Sequence, residues 1–292
     1  MSARRLSAIL LVLWLGVPLH AEQHLTHPFA GITYIDRTEA APRAVHMHIV
    51  QIDLTAAGLR FKLSPPSGSR EVVRQPTLDF ARQEHAQLAV NVHFFLPFPS
   101  TDTEAWLVGI AASEGRVYSA FETPDQAYAI VTDAPGVNID QANHATIVHR
   151  DRAQADGTHV VEPVTLWTTL AGSAQIATAG AKTIPDLEWY TAVQARTVIG
   201  LSRDGRTLTL FTVDKSGGSE GMQAGEVADL LLRDYGVWDA LNLDGGGSTT
   251  MALEDPETRV TSIVNASSDK DPVAGRAVGS SLAVFARPIP NP

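Results

Sequence analysis

The chain of 292 residues contains no cysteine. That absence excludes disulfides, Cys-ligated zinc, iron–sulfur centres and thiol nucleophiles. Cations are scarce too: 22 Lys and Arg stand against 32 Asp and Glu, a formal charge of −10. Non-specific nucleic-acid binding draws its affinity from Lys and Arg on phosphates, so no nucleic-acid partner is expected. After residue 21 no uncharged apolar run reaches the roughly 20 residues that span a bilayer, so no stable membrane insertion is expected. Internal repeats and long low-complexity tracts are absent. What remains is an ordinary globular balance, 44% apolar and 18% charged.

The N-terminus reads as an address. Arg4 and Arg5 precede an uncharged, Leu-rich run from Leu6 to Ala21, with Pro18 and Ala21 near its end. A basic start, a short apolar stretch and a small residue at the cut describe a secretory signal peptide over 1–21, rather than an uncleaved anchor. The expectation is an exported protein, secreted or periplasmic. The remainder divides into an N-terminal extension (22–43), one domain (44–287) and a short tail (288–292).

Hydrophobic periodicity predicts strands at Ala44–Asp53, Leu88–Phe95, Ala195–Ser202, Thr207–Asp214, Trp238–Asp244 and Ser281–Ala286. A hairpin is predicted around Glu114-Gly115. Helices are predicted at Thr77–Gln87 and Ala224–Tyr235, the second with Val227, Leu230 and Leu231 inward and Asp229 pairing with Arg233. Ala171–Asp186 reads as a flap or a plain surface loop. Asp204-Gly205 joins two strands; a two-residue turn there pairs Arg196 with Val213 and puts Arg196 and Asp214 on opposite faces, whereas a three-residue turn puts them on one. The predicted class is α+β: a single domain with a mixed or antiparallel sheet core and a few flanking helices.

The sharpest segment is Ala240–Met251, ALNLDGGGSTTM. A buried strand ends in Asp244, followed by Gly245, Gly246, Gly247 and the hydroxyls of Ser248, Thr249 and Thr250. Consecutive glycines allow either an anion-binding nest of amides or simply a tight turn. No P-loop spacing and no G-x-S-x-G elbow are present. Asn91 and His93 fall on one face of an apolar strand, where polar groups need partners or a role. Arg196 could grip a phosphate bidentately. Asn265 and Arg276 sit near a second Gly-Ser pair. His46 and His48 share a strand face but have no third ligand at metal spacing, so they read as structural. A hard cation could bridge Asp244 and Asp214, yet no calcium-loop spacing exists; no metal or cofactor is expected.

The ordered set N-x-x-F-F (Asn91–Phe95), R-T-x-I-G (Arg196–Gly200), N-L-D-G-G-G-S (Asn242–Ser248), V-N (Val264-Asn265) and R-x-V (Arg276–Val278) resembles the phosphodiester glycosidase family. Family members commonly carry N-G-G-F-F, where Val92 and His93 stand here. The bacterial members are associated with exopolysaccharide metabolism. The resemblance implies an exported hydrolase that cleaves the glycosidic bond of a sugar-1-phosphodiester on an envelope or extracellular glycan. It implies Asp244, then Asp214, as the carboxylate at the sugar, and His93 as an acid or base. Arg196, Arg276 and Gly245–Gly247 would meet the phosphate. Asn91, Asn242 and Asn265 would hold sugar hydroxyls or orient the carboxylates, and the hydroxyls of Ser248 and Thr249 would add donors at the phosphate. Two alternatives stand beside this reading: a non-catalytic glycan-binding protein on the same scaffold, and a phosphodiesterase releasing sugar phosphate.

Overall fold

A computed structural model describes residues 21–121, 133–269 and 275–289. The segment read as a signal peptide lies outside the described residues except for Ala21. An eight-stranded antiparallel sheet runs in the order Glu22–Phe29, Ile32–Glu39, Val45–Asp53, Thr207–Val213, Arg196–Ser202, Val237–Asn242, Ala174–Thr178 and Ala181–Lys182. Two five-stranded antiparallel sheets accompany it. One orders Thr261–Ile263, Met251–Glu254, Leu88–Asn91, Ser281–Phe285 and Arg60–Leu63. The other orders Arg116–Ser119, Ala111–Ser113, Thr168–Ala171, Gly136–Ile139 and Ala145–Val148. Helices are few: α1 (Thr77–Glu84), the single turn α2 (Glu188–Thr191) and α3 (Ala224–Asp234). The antiparallel, sheet-dominated form of the expected α+β class is therefore present. Among the described residues no helix is long and apolar enough to cross a membrane.

Alternation along the strands explains the layering. In Val45–Asp53, Met47 and Ile49 join Val198, Phe211 and the Val227, Leu230 and Leu231 stripe of α3. The intervening Val50 and Ile52 face the smaller sheets, packing with Ile199, Leu210, Val90, Leu282, Val137 and Leu170. The large sheet is thus apolar on both faces, so its central strands are largely buried. His46 and His48 lie on the Val50 face, where they interrupt the apolar pattern at one end of the sheet.

The turns follow their residues. Glu114 and Gly115 both take positive φ (51° and 81°), which joins Ala111–Ser113 to Arg116–Ser119 in a tight hairpin. Arg196 pairs with Val213, the register of the two-residue Asp204-Gly205 turn, so Arg196 and Asp214 occupy opposite faces. Gly236 takes φ +65° just past α3.

Four expectations need correction. Ala171–Asp186 is neither flap nor loop: Ala174–Thr178 pairs with Val237–Asn242 at the sheet's edge, because Ala174 and Ile176 bury against the α3 layer. Gly172 is required there, since a Cβ would lie 2.3 Å from the Asn242 carbonyl oxygen. Residues 22–39, read as an extension before the domain, form two strands of the large sheet. The strand expected over Leu88–Phe95 ends at Asn91, and a separate short strand, Phe95–Leu96, follows. Asp229 pairs with Lys182 (2.7 Å) and Arg233 with Asp234 (2.7 Å), not with each other, because each finds an oppositely charged partner outside the i, i+4 register.

Leu231→Ala should cost about 2–5 kcal/mol through the cavity left under α3. Asp229→Ala, which removes a solvent-exposed pair, should change stability by under about 0.5 kcal/mol. Urea unfolding midpoints of the two variants check this contrast.

Candidate active site

The strand Val237–Asn242 runs through the large sheet and delivers Leu243 and Asp244 at its end. There the backbone is clamped from the facing sheet: the Asp244 amide donates to the Val92 carbonyl (2.8 Å), and Asn91 Nδ2 donates to the Asp244 carbonyl (2.7 Å). Asn91 Oδ1 also accepts the Thr250 amide (3.0 Å) and the Thr197 hydroxyl (2.7 Å). On the far side of the turn, Asn265 Oδ1 accepts the Met251 amide (2.6 Å) and its Nδ2 donates to the Thr249 carbonyl (3.0 Å). The two asparagines therefore brace the turn 244–251 from both ends. All three bonds of Asn91 are spent on the protein, which leaves it to orient rather than to hold a sugar.

The glycines allow close approach more than they bind an anion. A Cβ on Gly247 would lie 2.0 Å from both Arg276 Nη2 and Asp269 Oδ1. Gly246 takes φ +61°. The amides of Gly246, Ser248 and Thr249 donate to the carbonyls of Ala195, Gly245 and Gly246. The Gly245 amide serves the Asp244 carboxylate. The expected nest is thus largely spent, because a 3₁₀ turn over Gly246–Ser248 consumes its own donors.

Asp244, Ser248, Arg276, Phe95 and Phe98 enclose a cavity of about 10 Å³, the room of a single water. Burial pushes the Asp244 carboxyl up to about 7; the Ser248 hydroxyl, the Arg276 charge and the Gly245 amide oppose that rise. At neutral pH it therefore exists in both protonation states, as acid–base chemistry requires. Arg276 stacks over Phe98 (5.0 Å to the ring centroid) and holds Asp269 bidentately, through Nε (2.9 Å) and Nη2 (2.7 Å). Its Nη1 donates to Ser248 Oγ (3.3 Å). Phe98 and Asp269 carried no assigned role in the sequence reading. The signals available were an aromatic between two prolines and an acid seven residues before Arg276.

The other expected site residues lie elsewhere. Arg196 is on the α3 side of the sheet and is fully buried. Its guanidinium donates to the carbonyls of Trp189 (2.7 Å), Ala192 (2.6 Å) and Met222 (3.3 Å) and lies over the Trp189 ring. Burial lowers its pKa to about 10, which leaves it charged at neutral pH. It fastens α2 and its flanks, and the opposite-face register explains why it does not join Arg276. Asn242 Nδ2 donates to Ser173 Oγ (2.9 Å) on that same side.

His93 is enclosed. Nε2 meets both the Ala171 amide (2.9 Å) and the Ile110 carbonyl (3.1 Å), and Nδ1 lies 2.7 Å from Ser280 Oγ. Burial lowers its pKa to about 4, so the ring is neutral. It shares no partner with Asn91, because the strand has already ended. Asp214 is committed elsewhere: its Oδ1 accepts the Ala266 amide (2.8 Å), and Oδ2 faces His46 and His48. Thr249 is buried, and its hydroxyl finds no partner among the described residues.

The family model for phosphodiester glycosidases matches residues 84–285. Human N-acetylglucosamine-1-phosphodiester alpha-N-acetylglucosaminidase is 41% identical over 66 residues, 23% of this chain, and the mouse protein is 39% identical over the same length. The match spans only 12% of the length of each relative. The catalytic domain of the zebrafish enzyme, auto-inhibited by its pro-peptide, superposes with a TM-score of 0.60 at 20% identity, covering 91% of this chain and 88% of that one. A putative exported protein of Burkholderia pseudomallei gives a TM-score of 0.64 at 14% identity, covering 92% and 97%. These two superpositions establish a common fold.

Asn91→Ala would strand the Thr250 amide, the Asp244 carbonyl and the Thr197 hydroxyl in the interior. The expected loss is about 3 kcal/mol or more in urea unfolding, since each orphaned buried group costs about 1–3 kcal/mol.

Proposed function

The chain belongs to the phosphodiester glycosidase family, and we propose that it hydrolyses the glycosidic bond of a sugar-1-phosphodiester at the Asp244–Ser248–Arg276 cleft. One observation carries the reading: a buried carboxyl raised to about 7 stands one hydroxyl away from a guanidinium at the end of a rigid strand. The human and mouse relatives make N-acetylglucosamine-1-phosphodiesters the first substrates to test.

In this reading a phosphate monoester is the leaving group. It is a weak base, so its departure calls for positive charge and hydrogen-bond donors rather than a strong acid. Arg276 and Ser248 supply these. Ionised Asp244 serves the anomeric carbon, either by taking the proton of an attacking water or by direct attack. Water oxygen ends on the sugar, and the electron pair of the broken C1–O bond leaves with the phosphate. A cavity for one water does not admit a sugar, so entry requires the Phe98 and Asp269 side chains to give way. His93, Asn91 and Asn265 position the backbone. The signal-like N-terminus supports action on an envelope or extracellular glycan.

Asp244→Asn is expected to lower kcat by about a thousandfold or more while circular dichroism stays native. Wild-type kcat/KM should fall as pH drops below about 7, because protonation removes the working carboxylate. Full activity in the variant would refute the assignment. Turnover of N-acetylglucosamine-1-phosphodiesters in ¹⁸O-water should place label in the free sugar. Label in the phosphate would instead mean a phosphodiesterase, and no turnover across a sugar panel would favour a binding protein.

A further inference from the structure

We propose that the chain carries a second site, for a divalent transition-metal ion of the Zn²⁺ class, with His46, His48 and Asp214 as ligands. The three groups come together from two neighbouring strands. His46 and His48 alternate on Val45–Asp53, and Asp214 follows directly on Thr207–Val213, its amide donating to the His46 carbonyl (3.0 Å). Asp214 Oδ2 lies 3.2 Å from His46 Nδ1 and 3.5 Å from His48 Nε2. Donors held 2.0–2.2 Å from a tetrahedral ion stand roughly 3.3–3.6 Å apart, so each Asp214–imidazole separation is close to that of two ligands on one ion.

Each imidazole is oriented from behind. His46 Nε2 is 2.8 Å from Asp36 Oδ1, and His48 Nδ1 is 2.8 Å from the Tyr34 hydroxyl. A carboxylate or hydroxyl behind each ligating ring is the usual outer shell of a metal site. Asp36 also belongs to the cluster, with ligand atoms of Asp36, His46 and His48 all within 4.8 Å.

Two further observations point to a cation. Asp214 is almost fully buried, yet no Lys or Arg pairs with it among the described residues, and a buried carboxylate needs a positive partner. Thr212, the cross-strand partner of His48, is fully buried and its hydroxyl has no partner among the described residues. His46 is one-third exposed, which gives an ion a way in. Tyr34, Asp36, His46 and His48 all precede residue 84, where the family match begins. Only Asp214 lies within that match, and it is not among the residues that enclose the Asp244 cavity, so metal binding and turnover can be measured apart.

The test is calorimetric titration of the chelator-treated full chain with Zn²⁺, and with Co²⁺ followed by visible absorption. One equivalent should bind, and Tm should rise by about 5 °C at a hundredfold excess over Kd. His46→Gln should lose at least about a hundredfold in affinity and Asp36→Asn about 10–100-fold. Both side chains are part-exposed, so the variants should fold; their metal-free Tm values check this. Exposed His144→Gln should bind as wild type does. Absence of Zn²⁺ binding by wild type, or equal binding by His46→Gln, overturns the proposal.

Discussion

Asn91 is the joint on which the candidate active site rests. A single buried amide side chain reaches across two layers and touches three backbone or hydroxyl groups of the large sheet and its glycine turn. Buried polar groups of this kind leave little slack: every donor and acceptor must be met, or the arrangement costs more than an apolar one. The Asp244 carbonyl is held from one side and its amide from the other, so the position of the carboxyl follows from the sheet packing rather than from a loop. Asn265 repeats the device at the other end of the turn. The chemistry-bearing residues thereby inherit the rigidity of the two sheets behind them.

Much of this was legible from sequence. The strands Val45–Asp53, Arg196–Ser202 and Thr207–Val213 announce themselves by alternation, and the Asp204-Gly205 turn limits the register to two choices. Helix α3 follows from its apolar stripe. Asp244 stands out because a buried strand ends there in three glycines. What periodicity cannot give is the partner of a polar residue. Asn91 looked like a ligand-binding group because a polar side chain in an apolar strand must bond to something; only the fold shows that backbone satisfies it. Arg196 misled for the same reason, as a buried cation can be met by carbonyls as well as by a phosphate. Asp36 is not evident from the sequence because its nearness to His46 depends on a strand pairing that sets it opposite His48. The strands of Ala174–Lys182 were hidden by small residues, which carry little hydrophobic signal.

The absence of cysteine takes on a structural meaning in this fold. With no covalent cross-link, the large sheet is secured by burial on both faces, α3 on one and the smaller sheets on the other. Such a sheet has few solvent-facing positions on its central strands. Asp214 and the Asp244 turn each follow directly on the end of a central strand. Placing sites at strand ends keeps the apolar alternation of the middle unbroken.

The buried Asp244 carboxyl has a thermodynamic side. Its folded pKa of about 7 stands well above the ordinary 3.8, so the native state binds its proton more tightly than the unfolded chain does. By linkage, the stability this group contributes is complete below about pH 4 and is lost progressively as pH rises through 7. The fold is therefore strained most by this residue in the range where its carboxylate is ionised. A neutral amide at that position would relieve the strain. Tolerance of that burden is what the two bracing asparagines supply, and the pH dependence of unfolding is where it becomes visible.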